Sequence, residues 1–250
     1  MNEKLAFIQK LHTTHGNFTD EPVPEALIRD ILESCVRGAN AQNRQAYSII
    51  VIHGADRVSS ILGCGVRAPV ALLFCADYNR VYAMADALGY QATYDNLFYY
   101  LTAHTDAVIA SQTAVMAATA LGLGTMFTNS IHNAGRKDLD ELYRQLDLPE
   151  KHCFPVTAVL LGYEDHPSLH VKGRLCGPGI VHQEHYQPAS REQLQQLAAY
   201  IETPENGFGG KGYLEAYYTK IRPAQSDEAL REMDQMLYAH LGSFIHRAEK

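Results

Sequence analysis

Residues 106–131 read DAVIASQTAVMAATALGLGTMFTNSI. Small apolar residues surround the whole circumference of the first part, so it is expected to form a helix buried on all sides. Gly122-Leu123-Gly124 ends that helix, and a second apolar segment follows. The two glycines have two readings. They can let backbone come close to a flat or bulky group, or they can form an ordinary glycine C-cap and a tight turn into a strand.

Working outward, Tyr47–Ile52 (YSIIVI) is a continuous apolar, β-branched run expected to be a central strand. Pro69–Ala76 and Val156–Leu161 have the same character, and Met126–Ile131 is a weaker fourth strand. Helices are expected between them near 79–89, 94–121 and 137–146. Pro24 opens an earlier helix, whose positions Leu27, Ile28, Ile31, Leu32, Cys35 and Val36 follow one buried face. The pattern predicts a layered domain, α/β or α+β, with one sheet covered by helices on both faces.

Residues 162–188, rich in Gly, Pro and His, read as a long irregular connection of the kind that tends to be functional or mobile. A helix near 190–202, the glycine-rich GFGGKGY and a final helix over about 226–246 follow. Leu230, Met233, Met236, Leu237, Leu241, Phe244 and Ile245 line one face of that last helix. The expected division is a main domain over 1–189 and a helical extension over 190–250, acting as a lid or as an arm around a partner subunit.

The 250 residues suit one large domain or one domain with an appendage. Acidic residues number 28 against 21 basic, a net charge of −7 with no basic stripe, which argues against nucleic acid as a partner. The five cysteines form no CxxC, and three lie among apolar residues, as reduced buried thiols do. The N-terminal segment lacks the apolar core of a signal peptide. Val108–Leu121 is too short and too punctuated by Ser111, Gln112 and Thr113 to span a bilayer. A cytoplasmic protein with no membrane partner is expected.

Asn40, Asn43 and Gln45 stand between a helix and a strand. Their amides both donate and accept, as the pyrimidine edge or ribityl hydroxyls of a flavin require; equally, the segment can be a loop that closes on itself. Lys172 and Arg174 can grip a phosphate, the arginine through its planar fork, or form a solvated basic loop. His166 with His170 and His182 with His185 invite a metal reading. No carboxylate or thiolate falls at ligand spacing, so surface loop histidines are expected and no metal site. No G-x-S-x-G elbow, P-loop or GxGxxG after a strand occurs. Tyr94–Tyr100 (YDNLFYY) can line a pocket for a planar substrate, although helical spacing makes core packing the default.

Taken in order, FTDEPVPEALIRDIL from Phe18, NAQNRQAYSIIVI, DAVIASQTAVMAATALGLGT, PVTAVLLGY and the later KGR and IVH resemble the FMN-dependent nitroreductase family, over most of residues 10–186. The resemblance implies an α+β three-layer fold with a central mixed sheet and a helical C-terminal extension. It further implies a homodimer with FMN at the subunit interface and ping-pong transfer from NAD(P)H to a nitroaromatic, quinone or similar acceptor. By position, Asn43 and Gln45 match flavin-binding amides, and Asn40 stands where a serine is usual. Leu123 and Gly124 match backbone near the ring, and Lys172 and Arg174 match phosphate contacts. The family's arginine-rich phosphate motif is replaced by His12-Thr13-Thr14-His15-Gly16. Thr14 can replace a serine, and an imidazole at His12 can donate to phosphate without a fixed charge at neutral pH. The chemistry would be the flavin's, so no catalytic side chain is assigned. The competing expectation is a non-catalytic flavin-binding or sensory protein of the same fold. A third keeps the fold but changes the reaction, to dehalogenation or flavin fragmentation.

Overall fold

The computed structural model describes residues 2–91, 96–132, 139–166, 171–207, 209–223, 225–242 and 244. They fall into two compact units, one made of Met1–Pro167 with Arg231–Lys250, the other of Ser168–Leu230.

The first unit is built on a four-stranded sheet in the order β1-β2-β4-β3, formed by β1 (Tyr47–His53), β2 (Val70–Asp77), β3 (Gly124–Thr128) and β4 (Cys153–Gly162). Every described pair is antiparallel, in place of the expected mixed sheet, and β4 carries a bulge at Val156, the extra residue opposite Phe74 and Cys75. All residues of β2 and β4 are buried. Because alternate side chains point to opposite faces, both faces of the sheet centre are covered. Tyr47–Ile52 is expected at the centre, but the strand that contains it, β1, is an edge, with Ile49, Ile50 and Val51 half-buried. A continuous apolar run reports cover on both faces and says nothing about pairing on both sides. The weaker fourth strand spans Gly124–Thr128, and Ser130–His132 turns into a 3₁₀ segment where the sequence suggested more strand.

Around the sheet lie helices α1 (Glu3–Gln9), α2 (Glu25–Cys35), α3 (Ala55–Leu62), α4 (Asn79–Ala87), α5 (Leu97–Ala120) and α6 (Leu139–Gln145). The long α5 packs across all four strands, α2 packs on α5, and α3 meets β1 and β2. Asn96 caps α5, its Oδ1 accepting from Tyr99 N at 3.1 Å. Only one side of α5 is buried: Ala103, Asp106, Ala107, Ala110, Ala114 and Ala118 face the core. Leu97 and Leu101 are half exposed, and Val108 is exposed too. The expectation of burial on all sides is therefore corrected. Apolar residues around the whole helix leave a bare stripe, which a single chain does not cover.

Of YDNLFYY, Tyr94 and Asp95 lie outside the described residues. Tyr100 packs in the core against Phe154 and Phe244, with ring centroids 5.8 and 5.3 Å apart.

In the second unit, α7 (Arg191–Ile201) starts in a capping box, with Ser190 Oγ accepting from Gln193 N and Gln193 Oε1 accepting from Ser190 N. Glu202 accepts from Leu214 N and Glu215 N, both at 2.8 Å, and so holds the start of the short α8 (Tyr213–Ala216). The last described helix, α9 (Asp227–Leu241), carries the chain back into the first unit from Arg231. There His240 meets Asp140 at 2.8 Å and stacks on Tyr143. Ile245, read as part of its apolar face, lies outside the described residues.

Candidate functional site

At its C-terminal end α5 closes in a Schellman motif: Gly122 N donates to Thr119 O and Leu123 N to Ala118 O, at 3.1 and 3.0 Å. Gly122 takes the left-handed conformation this needs, with φ 82°. Gly124 then opens β3 opposite Gly162. A Cβ on Gly124 would come within 2.5 Å of Thr14 Oγ1 and 2.6 Å of Glu164 Cγ. Thr14 and Glu164 thus make the close approach that Gly124 permits, and Leu123 N–H is spent inside the turn. Beside this turn lies a cavity of about 320 Å³ lined by His12, Thr14, Thr119, Gly122–Thr125, Tyr163 and Glu164. Thr14 is fixed at both ends, its N–H donating to Thr125 O at 2.9 Å and its hydroxyl to Glu164 Oε1 at 2.7 Å. His12 Nε2 stands 3.4 Å from the same carboxylate oxygen. Thr13, between them, is half-buried.

The amide cluster lies elsewhere on α5. Ala41 N donates to the carboxylate of Asp106 at 2.9 Å, and Asp106 is 2% exposed. Burial pushes the Asp106 carboxyl above its ordinary value, opposed by the N–H groups of Ala41 and Ala46 and by the charge of Arg44. The loop is tightly wound, with Gln42, Asn43 and Gln45 at φ 53°, 57° and 50°. Asn40 Oδ1 accepts from Gln45 N at 3.2 Å, Arg80 donates to Gln45 O, and Gln45 Nε2 donates to Asn43 Oδ1 at 3.3 Å. The segment is therefore a loop that closes on itself. Its internal bond uses the donor of Gln45 and the acceptor of Asn43, so an Asn43 donor and a Gln45 acceptor remain on offer.

Asp106 and Gly122 are separated by roughly 24 Å along the helix at 1.5 Å per residue. Within the first unit, then, His12, Thr14, Leu123 and Gly124 share a cavity, whereas Asn40, Asn43 and Gln45 do not join them.

Lys172 and Arg174 belong to the second unit and are held by it. Lys172 Nζ donates to Gly207 O at 2.9 Å, Gly173 N donates to Asn206 Oδ1 at 2.6 Å, and Arg174 Nη1 donates to the carbonyls of Lys172 and Gly173. A Cβ on Gly173 would sit 2.8 Å from Tyr200 Oη. The segment is a fixed one, and Arg174 keeps donors beyond Nη1. Of the paired histidines, His170 lies outside the described residues. Among those described, no group of three or more His, Cys, Asp or Glu side chains is placed to hold a metal ion.

A second cavity of about 320 Å³ was missed by sequence reasoning. It lies between α5 and β3, lined by His104, Val108, Ser111, Phe127, Thr128 and Asn129 with Val156 and Thr157. Ser111 is fully buried and donates to Val108 O at 2.7 Å; Thr128 Oγ1 meets Ser130 Oγ at 2.8 Å. Burial lowers the His104 pKa. The available signal was a histidine and a serine seven residues apart in an otherwise apolar helix, which read as mere interruptions of it.

An antiparallel sheet beneath a long half-covered helix, with a donor–acceptor amide loop and two cavities of about 320 Å³, makes up an α+β domain. The sequence profile of the Nitroreductase family matches residues 10–163. A Bacillus subtilis protein named FMN reductase [NAD(P)H] is 30% identical over 240 residues, covering 88% of this chain and 93% of its own. An oxygen-insensitive NADPH nitroreductase of Salmonella typhimurium is 30% identical over 203 residues, covering 77% and 80%. The solved structure of NfrA2 from B. megaterium superposes with a TM-score of 0.77 at 28% identity, over 99% of this chain and 100% of that one. The chain belongs to the nitroreductase family.

The FMN that the resemblance implies presents a planar ring with a mixed donor–acceptor edge and a phosphate. The amides of Asn43 and Gln45 suit the edge, and Lys172 with Arg174 suit the phosphate. The cavity beside His12 and Thr14 does not suit a phosphate, because the fixed charge among its described lining residues is the Glu164 carboxylate.

Proposed function

We propose that the protein is an FMN-dependent oxidoreductase that takes reducing equivalents from NAD(P)H and passes them to a small conjugated acceptor, a nitroaromatic or quinone, in ping-pong fashion. The observation that carries this reading is an amide loop with a free donor and acceptor in a chain 30% identical to an FMN reductase and an NADPH nitroreductase. FMN, when bound, supplies the hydride chemistry. The chain's own contribution is binding and orientation. Asn43 and Gln45 hold the polar edge of the ring, with Asn40 fixing Gln45 from behind. Arg174 and Lys172 neutralise the phosphate.

We further propose a homodimer. The roughly 24 Å between the Asp106 loop and the Gly122 turn and the bare stripe of Leu97, Leu101 and Val108 support it, since a second copy can cover that stripe. A cytoplasmic location is part of the same reading, supported by Cys35, Cys75 and Cys153 as free buried thiols. No described helix is long and apolar enough to cross a membrane.

The test is optical. Purified protein, alone or after incubation with FMN, is expected to be yellow, to bleach on anaerobic NAD(P)H and to regain colour with a nitroaromatic under steady NAD(P)H consumption. A colourless protein that takes up no FMN refutes the reading. Bound FMN that neither pyridine nucleotide reduces would make it a flavin-binding protein without turnover.

A further inference from the structure

Where the N-terminal segment crosses β3 and the end of β4, His12 and Thr14 both turn to Glu164. A hydroxyl carries one proton, and that of Thr14 is donated to Glu164 Oε1 at 2.7 Å, with His12 Nε2 3.4 Å from the same oxygen. Thr14 is 4% exposed, and its backbone N–H is spent on Thr125 O. Glycine at 124 is what makes room, since any larger residue would strike both Thr14 and Glu164. The carboxylate is therefore built into the cavity wall. A second, independent feature has the same sign. The cavity lies at the C-terminal end of the 24-residue α5, the negative pole of the helix dipole, with Thr119 and Gly122 in its lining. Among the described lining residues none is Lys or Arg. An anion entering here meets a carboxylate and a helix C-terminus, and the N–H and hydroxyl of Thr14 are already in use.

Resting on the flavin reading above, we propose that Glu164 is a specificity-determining residue. It turns the His12–Thr14 cavity from a phosphate grip into a wall that opposes phosphate, and so opens the protein to unphosphorylated flavin. Riboflavin becomes a usable ligand, and a flavin's ring and ribityl chain, more than its phosphate, set its affinity.

The experiment is titration of the full chain with FMN and with riboflavin, followed by quenching of flavin fluorescence. FMN is expected to bind less than about a hundredfold tighter than riboflavin, and Glu164→Gln to tighten FMN about tenfold, 1.4 kcal/mol, with riboflavin unchanged within about twofold. Glu164→Lys, which places a cation in the same wall, is expected to widen the FMN preference further. A wild-type preference above about a hundredfold overturns the proposal without any variant. So does a Glu164→Gln protein, folded by circular dichroism, whose two affinities move together or not at all. Absence of binding by either flavin refutes the functional reading itself, a result distinct from binding without discrimination by Glu164.

Discussion

Asp106→Ala removes the acceptor of Ala41 N–H from the middle of α5. A hydrogen bond from a backbone N–H to a carboxylate contributes about 1.5–3 kcal/mol, and an unpaired buried N–H costs a similar amount. Part of this is offset, because burial already disfavours the Asp106 charge. The net loss is expected at about 1–3 kcal/mol, a fall in Tm of roughly 3–10 °C for a chain of this length. The local effect should be larger than the global one. Gln42, Asn43 and Gln45 all sit at positive φ, at about 1 kcal/mol each. Their combined strain is of the order of the anchor that restrains it. Without Asp106 the loop is free to relax, and FMN affinity is expected to fall more than about tenfold, 1.4 kcal/mol. Asp106→Asn keeps an oxygen acceptor and sheds the buried charge, so it should recover most of both losses. The sign with pH follows from the raised carboxyl. The folded state holds that proton more tightly than the unfolded chain does, so wild type loses stability relative to Asp106→Asn as pH rises through the folded-state pKa. Urea denaturation and FMN titration of the two variants check this. An alanine variant that loses stability yet binds FMN unchanged would show that Asp106 does not set the geometry of the amides proposed to bind FMN. One that loses no stability would refute the accounting altogether.

Gly124→Ala puts a Cβ within 2.5 Å of Thr14 Oγ1 and is expected to cost about 1–3 kcal/mol of overpacking in denaturant unfolding; a neutral effect would mean that Glu164 swings away freely. Replacing both Leu101 and Val108 with lysine charges the bare stripe of α5. It is expected to convert the proposed dimer to monomer in sedimentation, and a persisting dimer would place the interface elsewhere. Burial lowers the His104 pKa, so the unfolded chain binds that proton more readily. Stability is then lost as pH falls below about 6.5, the ordinary imidazole value, and His104→Gln should flatten that part of the stability profile.

The parts of the fold legible in the sequence are those fixed by local pattern. β2 and β4 read as strands because both of their faces are buried, and α5 ends where Gly122 supplies a left-handed C-cap. The place of β1 at an edge was not legible. Its partners are chosen across the sheet, and the residues of an apolar edge strand look the same as those of a central one. Burial of α5 on all sides was over-read for a related reason. Hydrophobicity around a helix reports that its surroundings are apolar, whether they come from the same chain or from another, and composition cannot tell which.

The site divides along the same line. The Asn40–Gln45 loop was recognisable because amides beside a strand advertise hydrogen-bonding chemistry locally, and the structure shows the loop closing on itself. Glu164 was passed over, although it lies beside the Tyr163 that closes a recognised stretch. Nothing in its neighbourhood marks it as opposed to phosphate; that meaning arises only when Thr14, 150 positions away, spends its hydroxyl on it. The replaced N-terminal motif showed that positive charge had been lost, which predicts a weaker grip. What takes its place is a carboxylate at a helix C-terminus, a reversal of sign and more than a loss. Motif comparison counts missing residues at their own positions, whereas the electrostatics of a cavity is set by whichever side chain the fold brings into the gap.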